Sequence, residues 1–134
     1  MRKMLLLALA LTACGKSGTT SLTAQSVVDA WKADGLEVGA VTPMTREDFK
    51  MAPLVGKATR FLIPSLGDDA GGRIFEADDA QDRAKLVKYY TDLGKQSAMF
   101  YSHVFEHRNV VIQINGELAD EKAQAYRASL EKLR

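Results

Sequence analysis

The chain has 134 residues, of which 46% are hydrophobic and 26% are charged, and its formal net charge is +1. This length favours one domain, and the composition excludes an intrinsically disordered chain. One cysteine excludes a disulfide-built scaffold, and the near-neutral charge argues against a partner that is a nucleic acid.

The first thirteen residues differ from the rest of the chain. Arg2 and Lys3 give a positive start, and residues 4–13 form an apolar run of ten residues. A bilayer span needs about 20 residues, so this run is typical of a secretory signal rather than of a membrane helix. Without Arg2 and Lys3 the 18 basic residues fall to 16, against 17 acidic residues. The positive balance therefore belongs to the signal.

The end of this run carries a more specific motif. Leu11-Thr12-Ala13-Cys14 resembles the lipobox of bacterial lipoproteins, in which a branched apolar residue and two small residues precede a cysteine. The resemblance implies cleavage before Cys14, a thioether-linked diacylglycerol on its sulfur, and often acylation of the freed amine, for example by palmitate. Two or more acyl chains anchor a protein stably, whereas one chain binds only marginally.

An ordinary secretory signal with an incidental cysteine is the alternative interpretation. Lipidation is favoured because the positive start, the apolar length, the small residues and the cysteine occur together. In addition, an odd cysteine in an exported protein needs a role. In the enterobacterial pattern, Gly15 after the cysteine permits transfer to the outer membrane, where the host has one. We therefore expect a lipid anchor at the extracytoplasmic face of a bacterial membrane, with no cofactor other than this covalent lipid.

Three regions follow from this motif. Residues 1–13 are predicted to be a cleaved lipoprotein signal peptide. Residues 14–22 comprise the lipidated Cys14 and a flexible tether, because Lys16-Ser17-Gly18-Thr19-Thr20-Ser21 is small and polar and lacks periodicity. Residues 23–134 are predicted to form a single α+β domain.

The first half of this domain begins with a helix. Apolar spacing predicts a helix over residues 24–34, with Thr23 as its N-cap and Gly35 after its end. Residues 36–41 alternate weakly and predict a strand. Residues 42–57 are expected to form an irregular crossover, since two prolines punctuate them.

Two hairpins and two helices complete the domain. Strands are predicted over residues 60–63 and 73–77, joined by a glycine-rich turn, followed by a helix capped by Asp78 or Asp79 that runs to about residue 96. A second hairpin over residues 99–115 is predicted to turn at His107-Arg108. The last element is an amphipathic helix whose apolar stripe comprises Ala119, Ala123, Tyr126, Leu130 and Leu133.

The second hairpin assigns side chains to two faces. A turn at His107-Arg108 places Phe105 opposite Val110, His103 opposite Ile112 and Tyr101 opposite Ile114, all on one face. Its other face carries Phe100, Ser102, Val104, Val111, Gln113 and Asn115.

The predicted order is α-β-ββ-α-ββ-α. This order favours the α+β class, with a mostly antiparallel sheet of about five strands and about three helices packed on one of its faces. Together with the lipobox, the strings TRFLIPSLG, GGRIF, YYTDLGK and VIQING resemble short bacterial lipoproteins to which no activity is assigned. This resemblance transfers no catalytic residue.

Several residues are candidates for chemistry, each with a structural alternative. His103 and His107 have the spacing of a helical zinc pair but lie in a predicted strand, where a core histidine is the simpler interpretation. Residues 67–72 could form an anion-binding nest beside Arg73 or a calcium loop, or only a turn that needs glycine. A catalytic triad that uses Ser102 or Ser65 has no positive support in the sequence.

Aromatic side chains offer one further candidate surface. Trp31, Tyr89, Tyr90 and Tyr101 could line a ligand groove or belong to the core. Tyr89 and Tyr90 are adjacent on one predicted helix, so both cannot face inward and one should be partly exposed.

The sequence contains no C-x-x-C-H, G-x-S-x-G or H-E-x-x-H motif, and acylation of Cys14 would leave no free thiol. The favoured hypothesis is therefore a non-catalytic binding or interaction module of the cell envelope, with no metal and no catalytic residue. Its partner would be an envelope protein, a glycan or a small ligand. The alternative is a tethered enzyme or small-ligand receptor with a pocket near His103, using Tyr101, Arg73 or Arg60.

Overall fold

The computed structural model describes residues 20–134, so the predicted signal peptide, Cys14 and the tether as far as residue 19 lie outside the described residues. Within them, helices and strands follow the predicted order α-β-ββ-α-ββ-α. Their bounds are α1 Ala24–Ala33, β1 Val41–Pro43, β2 Lys57–Leu62, β3 Gly71–Glu76, α2 Ala80–Gln96, β4 Ser102–His107, β5 Val110–Asn115 and α3 Asp120–Glu131.

Local signals explain where α1 begins and ends. The hydroxyl of Thr23 accepts a hydrogen bond from the Ser26 backbone N–H, and the Ser26 hydroxyl accepts one from the Thr23 N–H. This capping box satisfies two amides that the first turn leaves free. Gly35 follows the helix with φ of +76°, a conformation that favours glycine. The preceding Leu22 is buried, so the folded domain begins before the predicted boundary at residue 23.

All five strands form one antiparallel sheet in the order β1-β2-β3-β5-β4. Two hairpins, β2–β3 and β4–β5, meet along the pairing of β3 with β5. Because two antiparallel steps separate β3 from β4, these two strands run in the same direction. The helix α2 joins them across one face of the sheet.

The β4–β5 hairpin turns one residue later than predicted. Its turn is Arg108-Asn109, with Arg108 at φ of +52°. Phe105 therefore pairs with Ile112, and His103 with Ile114. The register differs from the prediction by two residues, and since side chains alternate with a period of two, the assignment of residues to faces is unchanged. Tyr101 lies before the strand, in the turn that follows α2.

The prediction of a strand over residues 36–41 is wrong in its bounds. Only Val41–Pro43 pairs as a strand, although Gly39 donates a hydrogen bond to the Leu62 carbonyl at 2.7 Å. The partner strand β2 ends at Leu62, and Pro64 packs against Gly39. The segment before Val41 therefore has no continuing ladder to join.

The two faces of the sheet are buried by different helices. We call the side covered by α1 and α3 the helix-pair face; its sheet residues are Phe61, Ile74, Phe105, Val110, Ile112 and Ile114. The other side is the single-helix face; its buried apolar sheet residues are Ala58, Phe75 and Val111, which pack beneath Leu86 and Tyr90 of α2. The expectation that all helices pack on one face is therefore wrong. The apolar residues of β3 and β5 on both faces require cover on both sides.

Trp31 joins the two helices of the helix-pair face to the sheet. Its ring lies 4.9 Å from that of Phe61 and 5.1 Å from that of Tyr126, and its Nε1 donates to the Tyr126 carbonyl at 3.0 Å. The Tyr126 hydroxyl donates to the Glu37 carbonyl at 2.6 Å, and burial raises the pKa of Tyr126 to about 12. Trp31 is thus a core residue rather than part of a ligand groove.

Replacing Ile112 by alanine should destabilise the domain strongly, because this side chain is fully buried on β5, an inner strand of the sheet. Leaving a cavity there should lower the free energy of unfolding by about 2–5 kcal/mol. Urea denaturation of the purified protein measures this difference. Met99→Ala is the control, since Met99 is 85% exposed and its loss should change stability by less than about 0.5 kcal/mol. Equal midpoints for both variants would contradict the described core.

Candidate functional site

A cleft opens on the single-helix face, between the C-terminal half of α2 and the crossover that precedes β2. Its volume is about 380 Å³, which falls in the range of small-ligand pockets. Its floor and walls include Arg60, Arg73, Tyr90, Tyr101, Ser102 and Gln113. These residues come from four strands (β2, β3, β4 and β5), from α2 and from the turn that follows α2.

The register of the sheet sets the polar floor of this cleft. Arg60 of β2 lies directly opposite Arg73 of β3, and Arg73 lies directly opposite Gln113 of β5. Residues paired in this way share a face, and their Cβ atoms are about 5 Å apart. A row of long polar side chains thus crosses the sheet beside the apolar residues that α2 covers.

Three of these side chains form a directed chain of hydrogen bonds. Arg73 Nη1 donates to Gln113 Oε1 at 2.9 Å, and Gln113 Nε2 donates to Ser102 Oγ at 2.8 Å. A guanidinium can only donate, so the amide oxygen of Gln113 must face Arg73 and its NH₂ group must face Ser102. Since the Ser102 oxygen accepts this bond, its own hydroxyl hydrogen is left to donate elsewhere.

The two arginines differ in their ionic partners. Arg60 donates to the carboxylate of Asp69 at 2.8 Å and to its backbone carbonyl at 2.7 Å. Arg73 contacts the neutral amide of Gln113, and no ion pair within residues 20–134 includes it. Like charges directly opposite each other in a sheet destabilise it. Asp69 neutralises the charge of Arg60, whereas the charge of Arg73 has no carboxylate paired with it among the described residues.

Asp48 lines the cleft from the crossover side. It accepts hydrogen bonds from the Thr45 backbone N–H at 2.6 Å and from the Thr45 hydroxyl at 3.0 Å. These bonds hold the pKa of Asp48 below its ordinary value, and the charges of Arg60 and Arg73 lower that pKa further. Hydrogen bonds from Thr45 therefore hold the ionised carboxylate in place, and the positive charges of both arginines stabilise it.

Tyr89 and Tyr90 both line the cleft, although they are adjacent on α2. Tyr90 is buried against Phe75, and Tyr89 is half-buried with its ring 5.0 Å from that of Tyr90. The prediction that one of the pair is partly exposed is confirmed. Burial raises the pKa of Tyr90, and the nearby charge of Arg73 opposes that rise.

The structure brings together two of the three predicted binding residues. Arg73 and Tyr101 both line the cleft, as does Arg60, whereas His103 lies on the helix-pair face at 8% exposure. The Tyr101 ring packs edge-on against His103, with centroids 5.3 Å apart. Tyr101 therefore stands between His103 and the cleft, and the expected pocket is not built around the histidine.

Two glycines give the Tyr101 side chain its position. A Cβ on Gly94 would lie 3.3 Å from Tyr101 Cδ2, and one on Gly116 would lie 2.6 Å from Tyr101 Cδ1 and 2.3 Å from its carbonyl oxygen. Gly94 therefore acts as a close-packing point inside α2 rather than as its end. Gly116 allows the chain after β5 to approach the same ring.

Both histidines hold α3 against β4. His103 Nε2 lies 2.7 Å from the Leu118 carbonyl just before α3, and His107 Nε2 lies 2.7 Å from the Leu133 carbonyl just after it. Since a carbonyl only accepts, each Nε2 donates. Residues four apart in a strand are separated by about 13 Å, so the two rings do not converge on one ion. These contacts support a structural role for both histidines rather than a metal site.

The serines are not placed as nucleophiles. Ser102 and His103 are neighbours in β4, so their side chains point to opposite faces of the sheet and cannot form a nucleophile–base pair. The Ser65 backbone N–H donates to the Glu37 carboxylate in the β2–β3 connection. Its hydroxyl group has no described histidine partner.

Residues 67–72 form a turn and the start of β3. A Cβ on Gly71 would lie 2.0 Å from the Phe61 carbonyl oxygen, and one on Gly72 would lie 2.2 Å from the Gln113 carbonyl oxygen. Close approach of neighbouring strands therefore explains both glycines. Asp69 is engaged by Arg60, and residues 20–134 contain no group of three side chains placed to hold a metal ion.

Sequence reasoning missed the chain of hydrogen bonds that joins Arg73, Gln113 and Ser102. It placed Gln113 and Ser102 on one face of the second hairpin, and a glutamine inside the apolar run VVIQIN was a usable signal. The adjacency of Arg73 depends on the pairing of β3 with β5, which are separated by a whole helix and a strand. No local pattern reports that pairing.

Neither a protein-family model, nor a curated protein, nor a solved structure matched this chain. Within the part of the chain that the structure describes, no helix combines the length and the apolar character needed to cross a membrane.

Arg73→Gln should raise the pKa of Tyr90 above its value in the wild type. The guanidinium charge favours the phenolate, so its removal favours the protonated phenol. A pH titration followed by the ¹³C NMR signal of the Tyr90 ring measures this change. Arg127→Gln is the control, since Arg127 lies on α3 and pairs with Glu131. A Tyr90 pKa that is unchanged or lowered in Arg73→Gln would contradict this placement of the arginine.

Proposed function

We propose that the chain is a membrane-anchored extracytoplasmic lipoprotein that binds a small ligand in the cleft of the single-helix face without transforming it. The observation that carries this proposal is the row of Arg60, Arg73 and Gln113, which forms a polar floor beside the apolar residues that α2 covers. Gln113 is buried and both arginines are half-buried, and a few convergent polar side chains in a concave site are typical of a ligand pocket.

The anchor follows from Leu11-Thr12-Ala13-Cys14, as in bacterial lipoproteins. Cys14 is six residues before Thr20, and six extended residues reach at most about 20 Å. The domain would therefore be held close to the lipid surface. In this proposal an envelope protein or a glycan is also a possible partner, provided that it has a small acidic or polar end group that can enter the cleft.

The point at which the tether joins the domain indicates how the cleft would be oriented relative to the membrane. The Arg108 guanidinium donates to the Thr20 carbonyl at 2.6 Å, and the Asn109 side chain exchanges two hydrogen bonds with the backbone of Leu22. These contacts fasten the start of the domain to the β4–β5 turn. Ser102 and the cleft lie at the other end of β4, and six strand residues span about 20 Å. A lipid anchor would therefore leave the cleft open on the side away from the membrane.

A non-catalytic role is favoured over the alternative of a tethered enzyme. That alternative relied on a pocket near His103, but His103 is buried on the helix-pair face, where its Nε2 donates to the Leu118 carbonyl. The cleft instead offers arginine, amide and hydroxyl donors, and hydrogen bonds from Thr45 hold the pKa of its Asp48 carboxyl below the ordinary value. Such groups position a ligand, whereas general acid–base chemistry needs a titratable group of suitable pKa.

Cys14→Ala should abolish lipidation and leave an uncleaved precursor, because the thioether and the processing step both depend on that cysteine. Metabolic labelling with radioactive palmitate, followed by gel electrophoresis, measures the incorporation. Ser17→Ala is the matched control in the tether and should label like the wild type. Equal incorporation in wild type and Cys14→Ala would overturn the anchor.

Filling the cleft should abolish ligand binding. Ala70→Phe places a large side chain among the cleft residues, whereas Ala84→Phe places the same side chain at an exposed position of α2 outside the cleft. The full-length protein in detergent is mixed with the low-molecular-mass fraction of an envelope extract from the source bacterium, and backbone amide NMR shifts are recorded. We expect shifts of cleft residues in wild type and Ala84→Phe and none in Ala70→Phe. Absence of cleft shifts in the wild type would overturn the binding function.

A further inference from the structure

We propose that the ligand enters the cleft with an anionic group, a carboxylate or a phosphate, which binds Arg73. This inference rests on the proposed binding function and names the class of ligand. The relevant groups are Arg73, Gln113 and Ser102, which line the cleft and are joined by hydrogen bonds.

The polar groups around Arg73 are arranged as donors. The guanidinium has five N–H groups, and its one described hydrogen bond is to Gln113. Gln113 is 5% exposed, and its Nε2 donates a hydrogen bond to Ser102 Oγ. Because the Ser102 oxygen accepts this bond, its hydroxyl hydrogen is free to donate to a ligand. Gln113 thereby holds the guanidinium in place and orients Ser102 as a donor. A site made of preoriented donors selects an acceptor, and arginine binds carboxylates and phosphates in bidentate fashion.

The charges that line the cleft support the same conclusion. Arg60 and Arg73 lie opposite each other, and Lys50 lines the cleft as well. Against these stand Asp69, paired with Arg60, and Asp48, bonded to Thr45. One positive charge remains in excess, and an anion on Arg73 would relieve its repulsion with Arg60.

The rim of the cleft indicates what the rest of the ligand is like. Phe100 is 53% exposed and Tyr101 is 47% exposed, and both line the cleft together with Tyr89. Exposed aromatic rings beside a donor-rich floor suit a ligand that has a flat or apolar body and one acidic group.

The test uses three probes of one shape and different charge: benzoate, phenyl phosphate and the neutral benzamide. Each is titrated into the full-length protein in detergent, and amide shifts of Ser102 and Gln113 report occupancy of the cleft. We expect at least one anion to bind about tenfold or more tightly than benzamide. Arg73→Gln should weaken that anion by a similar factor without changing the affinity for benzamide. Arg127→Gln, on α3, should leave both affinities unchanged.

A second pair of variants separates a ligand contact from a structural role of Arg73. Arg73→Lys keeps the charge but loses the planar fork, so it should retain part of the affinity for the anion, while Arg73→Gln loses nearly all of it. The amide spectrum of each variant without probe shows whether the fold is intact. Preference for phenyl phosphate identifies a phosphate ligand, and preference for benzoate identifies a carboxylate.

Three results would overturn the inference. The first is benzamide binding as tightly as both anions, and the second is both anions binding Arg73→Gln as tightly as wild type. The third is an envelope extract that still shifts the cleft residues after an anion-exchange resin has removed its acids. Each of these results would leave the binding function standing, because that function fails only when the untreated extract gives no cleft shifts.

Discussion

The unequal cover of the two sheet faces is the constraint on which the rest of the structure depends. Five strands at about 4.8 Å spacing span about 19 Å between the outer strands, and one helix with its side chains covers about 10–12 Å. Two helices, α1 and α3, therefore close the helix-pair face, whereas α2 closes little more than half of the other. Phe49 and Ala52 of the crossover fill part of the remainder, and the cleft is the space left between them and α2.

The order and class of the elements were predictable because each depends on neighbours in sequence. Thr23, Gly35 and Asp79 act on the turns beside them, and the faces of β4 and β5 follow from alternation alone. The faces were correct even though the turn is Arg108-Asn109, because a slip of two residues preserves them. The side on which α2 packs was not predictable, since it depends on how two distant hairpins join.

The candidate site shows the same division. Arg73 and Tyr101 were identifiable as single residues of suitable chemistry, but their meeting depends on the β3–β5 pairing and on Gly94 and Gly116. His103 was the most conspicuous candidate because histidine is a common catalytic residue. A histidine side chain also satisfies a buried carbonyl well, as at Leu118. Residue type alone does not distinguish these roles, whereas the position of the hydrogen-bond partner does.

One strand, β4, connects these features. Its first residue, Ser102, completes the donor chain in the cleft, while His103 and His107 hold the two ends of α3 on the opposite face. The turn that follows it receives Thr20 and Leu22 from the N-terminal segment. Because α3 holds β4 on one face and the N-terminal segment is bonded to the turn at its end, the start of β4 lies at a fixed distance from the point where the tether joins the domain. If Cys14 carries lipid as we propose, the same strand that completes the cleft also sets its distance from the membrane.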